Sequence, residues 1–226
     1  MGFRALAFAT VLAVSCNSAQ AQSARDILTS AAFTPSNATT ALTRINQALA
    51  AANAAIAQNP RDQNARLQRA LAISYRGKLT RSRADLVAAR RGFEAAVAAD
   101  PRNPEAHMAL AGWHLGIVIE LGPLVARTML GARTATGLAA LDRSLALGGD
   151  RAAIASLASL QRIQIDPADI AGARRLAELA AAADASTPFD RIMQRQATVL
   201  VASLRGGNGR TAAATAKLLM PFGRVR

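Results

Sequence analysis

The sequence predicts an all-α protein built from consecutive helical hairpins, and three observations carry that prediction. Ala, Leu, Arg and Gln fill almost every segment, and these residues lose little side-chain freedom in a helix. β-branched runs are short and aromatic residues make up 4% of the chain, so the residue types that suit a pleated, half-buried surface are scarce. Residues that start and stop helices recur at short intervals, and brief turns between helices make successive neighbours antiparallel.

Taken in order, helices are expected over 24–33, 38–58 and 62–77, the last stopped by Gly77. The next, 83–99, opens on Ser82 with Asp85 three residues on, a weak capping box. The helix over 104–121 has the strongest start, Asn103-Pro104-Glu105: a cap, a proline at the first helical position and an acid in the first turn. A long helix over 124–147, interrupted near Gly131, stops at Gly148-Gly149, where a left-handed residue can end a helix. Helices over 151–165, 167–184, 188–205 and 209–220 follow. Asp166-Pro167-Ala168-Asp169 and Thr187-Pro188-Phe189-Asp190 open the second and third of these four, and Gly206-Gly207 closes the third.

The N-terminus reads as an address. Arg4, an apolar run from Ala5 to Cys16 and a small-x-small ending at Ala19-Gln20-Ala21 form a three-part secretory signal cleaved before Gln22. The expected organisation is therefore a signal peptide over 1–21 and one helical domain over 22–226, periplasmic or secreted. The alternative is a lipoprotein anchored at Cys16, which follows small residues but lacks the usual Leu three positions earlier. Cys16 is the only cysteine, so a cleaved chain holds itself together by core burial alone. No later segment is expected to span a membrane, because the most apolar one, Leu115 to Leu130, is broken by Glu120, Pro123 and Arg127. Losing Arg4 lowers the formal net charge from +13 to +12. That excess fits either an affinity for anionic partners or a GC-rich genome that writes Arg at exposed positions.

One pattern recurs: a small residue, Phe or Leu four later, a small residue three after that, and Pro five further on. It falls at Ala89, Phe93, Ala96 and Pro101, and 41 residues earlier, with Ala in place of Phe or Leu, at Ala48, Ala52, Ala55 and Pro60. Looser copies fall at Gly137, Leu141, Ser144 and Gly149 and at Ala173, Ala177, Ala180 and Ala185. The stretch "ARRGFEAAVAADPRNPEAHMALA" resembles the end of the second helix of a tetratricopeptide repeat and the start of the next unit. The resemblance implies a right-handed superhelix of antiparallel hairpins, an irregular solenoid with its clearest units over about 38–150, and a role in binding proteins. Spacings of 41 and 48 exceed the family's period of about 34, and the family's first-helix Trp and Tyr are not cleanly reproduced by Tyr75 and Trp113. The segment from Gly112 to Gly137 is also similar to exported bacterial repeat proteins in which a Trp-His pair and a Gly-Ala-Arg triplet flank an extended hairpin. Here those residues are Trp113, His114, Gly131, Ala132 and Arg133.

Motifs that carry catalysis are not found. His107 and His114 are seven apart on one expected helix, about 10 Å along its axis, too far for one zinc ion. There is no Gly-x-Ser-x-Gly elbow, and the glycines around Asn208 lack the spacing and Gly-Lys-Thr ending of a P-loop. Glu occurs only at 94, 105, 120 and 178. No catalytic residue, metal or cofactor is therefore assigned. The segment from Arg61 to Arg91 carries nine basic residues against Asp62 and Asp85, a net +7. Arg66, Arg69 and Arg76 fall near one face of its first helix, and Arg83 and Arg90 lie two turns apart on its second. Such a row suits the carboxylates or phosphates of a protein partner, an acidic one included, or of the outer envelope, or is simply a solvated face. No aromatics interleave with it to stack bases, which argues against nucleic acid. The expected function is a non-enzymatic interaction scaffold of the envelope, with Arg66, Arg69, Arg76, Arg83, Arg90, Trp113, His114 and Arg133 as candidate contacts. The alternative is an accessory or solute-binding component of an envelope transport system, with Arg133 or the hairpin arginines as an anion clamp.

Overall fold

The structure is a computed structural model that describes residues 24–35 and 37–225. The expected leader, its cleavage site and Cys16 lie outside the described residues. Among the described residues the chain is all-helical and no strand occurs. In chain order the helices are α1 (24–33), α2 (Ala38–Gln58), α3 (Gln63–Thr80), α4 (Arg83–Ala99), α5 (Pro104–Leu121), α6 (Pro123–Leu130), α7 (Thr134–Gly148), α8 (Ala152–Ile165), α9 (Ile170–Ala182), α10 (Pro188–Arg205) and α11 (Gly209–Leu219). The chain divides into two compact units, one ending at Gly92 and one beginning at Phe93, within α4.

In the first unit, α2 packs on α3 through a stripe of Ala41, Ile45, Ala48, Ala52 and Ala55, all buried. Their alternating spacing of four and three keeps them on one face of a helix with 3.6 residues per turn. The Arg44 guanidinium donates to Ser30 Oγ at 2.9 Å and ties α2 to α1. Between α3 and α4 two glycines set the approach. A Cβ on Gly77 would lie 2.9 Å from Asp85 Cβ, and one on Gly92 would lie 2.7 Å from Ala70 Cβ. Gly77 is therefore a packing residue and not the expected stop. It stays helical and buried, α3 runs on to Thr80, and Arg81 takes the left-handed capping conformation at φ 56°.

In the second unit, α5 packs on α7, α8 on α9, and α10 on α11, while α8 also packs on α5 and α10. The core between them gathers Met108, Ala111 and Leu115 of α5, Ala140 and Leu141 of α7, Ile154 and Ala158 of α8, and Leu176 of α9. Helix α8 is buried on nearly every side, as a helix that is apolar all round must be. Gly137 makes room for Leu115, whose Cδ2 lies 2.6 Å from where a Cβ would stand. Two buried serines satisfy backbone carbonyls across pairs: Ser144 Oγ donates to Pro104 O at 2.7 Å and Ser159 Oγ to Ala173 O at 2.6 Å.

Several expected boundaries hold and others move. Asn103 Oδ1 accepts from the Glu105 and Ala106 amides, and Thr187 with Asp190 forms a complete capping box. The long 124–147 helix is broken into α6 and α7 by Gly131 at φ 72°. Gly207 is left-handed at φ 70°, but Gly149 ends α7 in a right-handed conformation at φ −68°. The start expected at Asp166 is displaced to Asp169, whose carboxylate accepts from Gly172 N. Asp166 instead accepts from Ala168 N at 2.9 Å, which closes a turn ahead of the helix.

Candidate interaction surface

Arg66, Arg69 and Arg76 lie on α3 and Arg83 and Arg90 on α4, and the first three are engaged within their own unit. Arg66 donates from Nε and Nη2 to Pro60 O at 2.9 and 2.6 Å, holding the turn between α2 and α3. Arg69 Nε donates to Asn53 Oδ1 at 3.0 Å and links the same helices. Arg76 makes a two-pronged pair with Asp85, Nε to Oδ2 at 2.8 Å and Nη2 to Oδ1 at 2.7 Å. That hydrogen-bonded guanidinium holds the Asp85 carboxyl below its ordinary value, and Asp85 in turn raises Arg76. Asp85 thus serves Arg76 more than the weak cap at Ser82, where only Asp85 N to Ser82 Oγ forms, at 3.2 Å. Arg83 is exposed and Arg90 half-buried.

The Trp113 and His114 side chains are buried at 4% exposure each, so neither offers its ring as a contact surface. Their rings meet edge to face with centroids 4.9 Å apart. The structure joins His114 to the Gly131-Ala132-Arg133 junction: the Arg133 amide donates to His114 Nδ1 at 3.2 Å. Arg133 is the N-cap of α7 and supplies no side-chain cap, so the imidazole occupies one of the donors a helix start leaves open. The Arg133 side chain is exposed. His107 Nε2 lies 3.0 Å from Pro101 O, in the turn before α5. The described residues hold no group of three His, Cys, Asp or Glu side chains that could share a metal ion.

Two features escaped sequence reasoning. One is an ionic seam at the starts of α5, α8 and α10. Arg151 Nη1 donates to Glu105 Oε1 at 2.8 Å, and Arg151 Nη2 stands 3.7 Å from Asp190 Oδ1. Asp190, 1% exposed, also accepts from Ala153 N at 3.2 Å. Burial pulls the Arg151 guanidinium down, but the Glu105 hydrogen bond and the two carboxylate charges outweigh it and hold it above its ordinary value. The acids at the first turns of α5 and α10 were visible in the sequence as helix starts; their shared arginine was not.

The other feature is α6. Its chain leaves α5 at Gly122, φ 78°, with a bend of 120° between the two helices. Ala126 and Leu130 are buried, while Leu124, Met129 and Val125 are 75%, 54% and 42% exposed, beside Leu121 at 44%. The apolar run was noted in the sequence, but the bend that turns half of it outward was not. An open depression of about 700 Å³ lies elsewhere, lined by Asp166, Pro167, Gly207, Asn208 and Arg210 among others. Comparison with family models, with characterised proteins and with solved structures returns no match to this chain.

Proposed function

We propose that the protein is a non-enzymatic protein–protein interaction scaffold of the cell envelope, an irregular solenoid of tetratricopeptide-like hairpins. One observation supports this most. Of the twelve helical positions in the four copies of the repeat pattern, all are buried except Ala96, which is half-buried. Small residues at those places let helices approach closely, so the recurring pattern is spent on helix pairing. In such an array each hairpin is stabilised by its neighbours, and the outward side chains of the first helices form one extended recognition face. The packing of α8 on both α5 and α10, with Arg151 reaching the starts of both, is the coupling such an array needs.

The test is capture from envelope extracts with the full chain as bait, compared with an Arg69→Glu/Arg83→Glu variant. Recovery of a defined protein that is lost on charge reversal supports an acidic partner at the basic row. Recovery that is indifferent to the reversal moves the contact elsewhere on the helices, and no specific recovery overturns the scaffold reading.

A further inference from the structure

The exposed face of α6 has a composition that core packing does not explain. Seven large hydrophobic side chains are exposed among the described residues, and four of them fall between Leu121 and Met129. Scattered exposed apolar residues need no explanation, whereas a cluster marks a contact. Helices α5 and α6 together are apolar enough to pass as a bent membrane segment. In α5, Met108, Ala111, Leu115 and Val118 are buried, and in α6 Ala126 and Leu130 are, whereas Leu121, Leu124, Val125 and Met129 stay exposed. The exposed face of α6 also includes Thr128, whose hydroxyl donates back to Leu124 O at 3.1 Å and Val125 O at 3.2 Å. The hydroxyl proton is thus spent within the helix. From Leu121 to Thr134 the only charged residues are Arg127 and Arg133, both exposed, with Glu120 just before.

We propose that this tip docks the protein onto an anionic phospholipid bilayer, with Leu124, Val125 and Met129 entering the acyl boundary and Arg127 and Arg133 meeting the phosphates. An apolar helix face flanked by arginines, with little for a protein partner to read by hydrogen bonding, is the composition of an interfacial helix. Protein hot spots favour Trp and Tyr as well as Arg anchors, and of these the tip carries only Arg127 and Arg133. Eight residues make a helix about 12 Å long, far short of the roughly 30 Å hydrocarbon core, so α6 lies in the interface and does not cross. So short a face binds weakly by itself, and the basic excess of the chain, +12 once Arg4 is lost with the expected leader, supplies the second attraction that stable anchoring requires.

The test is flotation of the full chain with phosphatidylglycerol/phosphatidylethanolamine vesicles and with phosphatidylcholine vesicles. Because residues 5–16 are also apolar, a local readout accompanies it: tryptophan emission of a Met129→Trp variant in anionic vesicles with brominated acyl chains. Binding should favour the anionic vesicles and weaken with salt. It should fall about tenfold in Leu124→Ser/Met129→Ser, as expected from losing about 1.4 kcal/mol of apolar insertion. Bromine should quench the emission added by Met129→Trp and spare buried Trp113. Unquenched added emission, or equal vesicle binding by the double serine variant, overturns the proposal. So does self-association that needs Leu124 and Met129 but no vesicles, which would make a second copy of the chain the occupant.

Discussion

Tyr75, the chain's single tyrosine, is half-buried as a residue, and burial of its phenol pushes its pKa up to about 12. The neutral form is favoured in the folded state, so folding loses stability as pH rises from the unfolded value near 10 through the folded one. Absorbance at the phenolate band should therefore stay flat past pH 10 in native protein and rise there in denaturant. A native midpoint near 10 would show that the phenol is hydrated. Asp85 gives the opposite sign. Its carboxyl is held low by Arg76, so its contribution is present above the unfolded carboxylate value and is lost as pH falls through the folded one. With both partners partly in water, Asp85→Asn should cost about 1 kcal/mol at neutral pH and leave stability less dependent on pH below 4. A Tm loss that persists unchanged at low pH would mean that the substitution disturbs packing and not the ion pair. The places of the arginines along α3 and α4 were legible from spacing alone. Their partners were not, since Pro60 O, Asn53 and Asp85 meet them only once helices pair.

At the level of elements, local chemistry made most of the helices legible. Asn103 and Thr187 start helices in the structure as their sequences demand, because a cap is satisfied within a few residues. Glycine is less legible, since it serves two purposes that look alike in a sequence. Gly131 stops α6 with a left-handed backbone, while Gly77 and Gly92 lie inside helices where another helix comes too close for a Cβ. The same split predicts opposite effects of one substitution. At Gly116, in α5, a Cβ meets nothing within 4 Å, so Gly116→Ala should gain most of the helix-propensity difference, about 1 kcal/mol. Gly92→Ala has the same propensity gain, but its Cβ would stand 2.7 Å from Ala70 Cβ, and overpacking of about 1–3 kcal/mol outweighs it. Denaturant midpoints should move up for the first and down for the second. A gain at both positions would show that α3 and α4 can separate freely there. The outward face of α6 was illegible for a related reason: whether Leu124 and Met129 point into a core depends on the 120° bend, which periodicity does not contain.

Over the whole molecule, stability should be regional. Separate buried clusters draw on successive, overlapping sets of helices: one joins Ala55 of α2 with Ala65 of α3, another gathers residues of α5, α7, α8 and α9, and a third unites Ala155, Ala180 and Ala197 of α8, α9 and α10. Where each hairpin is stabilised mainly by adjacent ones, a defect should weaken its neighbourhood and fade with distance along the chain. Leu200 offers a clean defect, because it is fully buried in α10, which packs on α8, α9 and α11. Leu200→Ala should cost about 2–5 kcal/mol locally through lost burial and the cavity left behind. Native-state hydrogen exchange should then show faster exchange in α10 and α11, a smaller change in α8 and α9, and protection in α2 close to that of the parent protein. Equal loss of protection in α2 and α10 would mean that the chain unfolds as one cooperative block. In that case the neighbour-by-neighbour coupling on which a repeat array depends would not describe this protein.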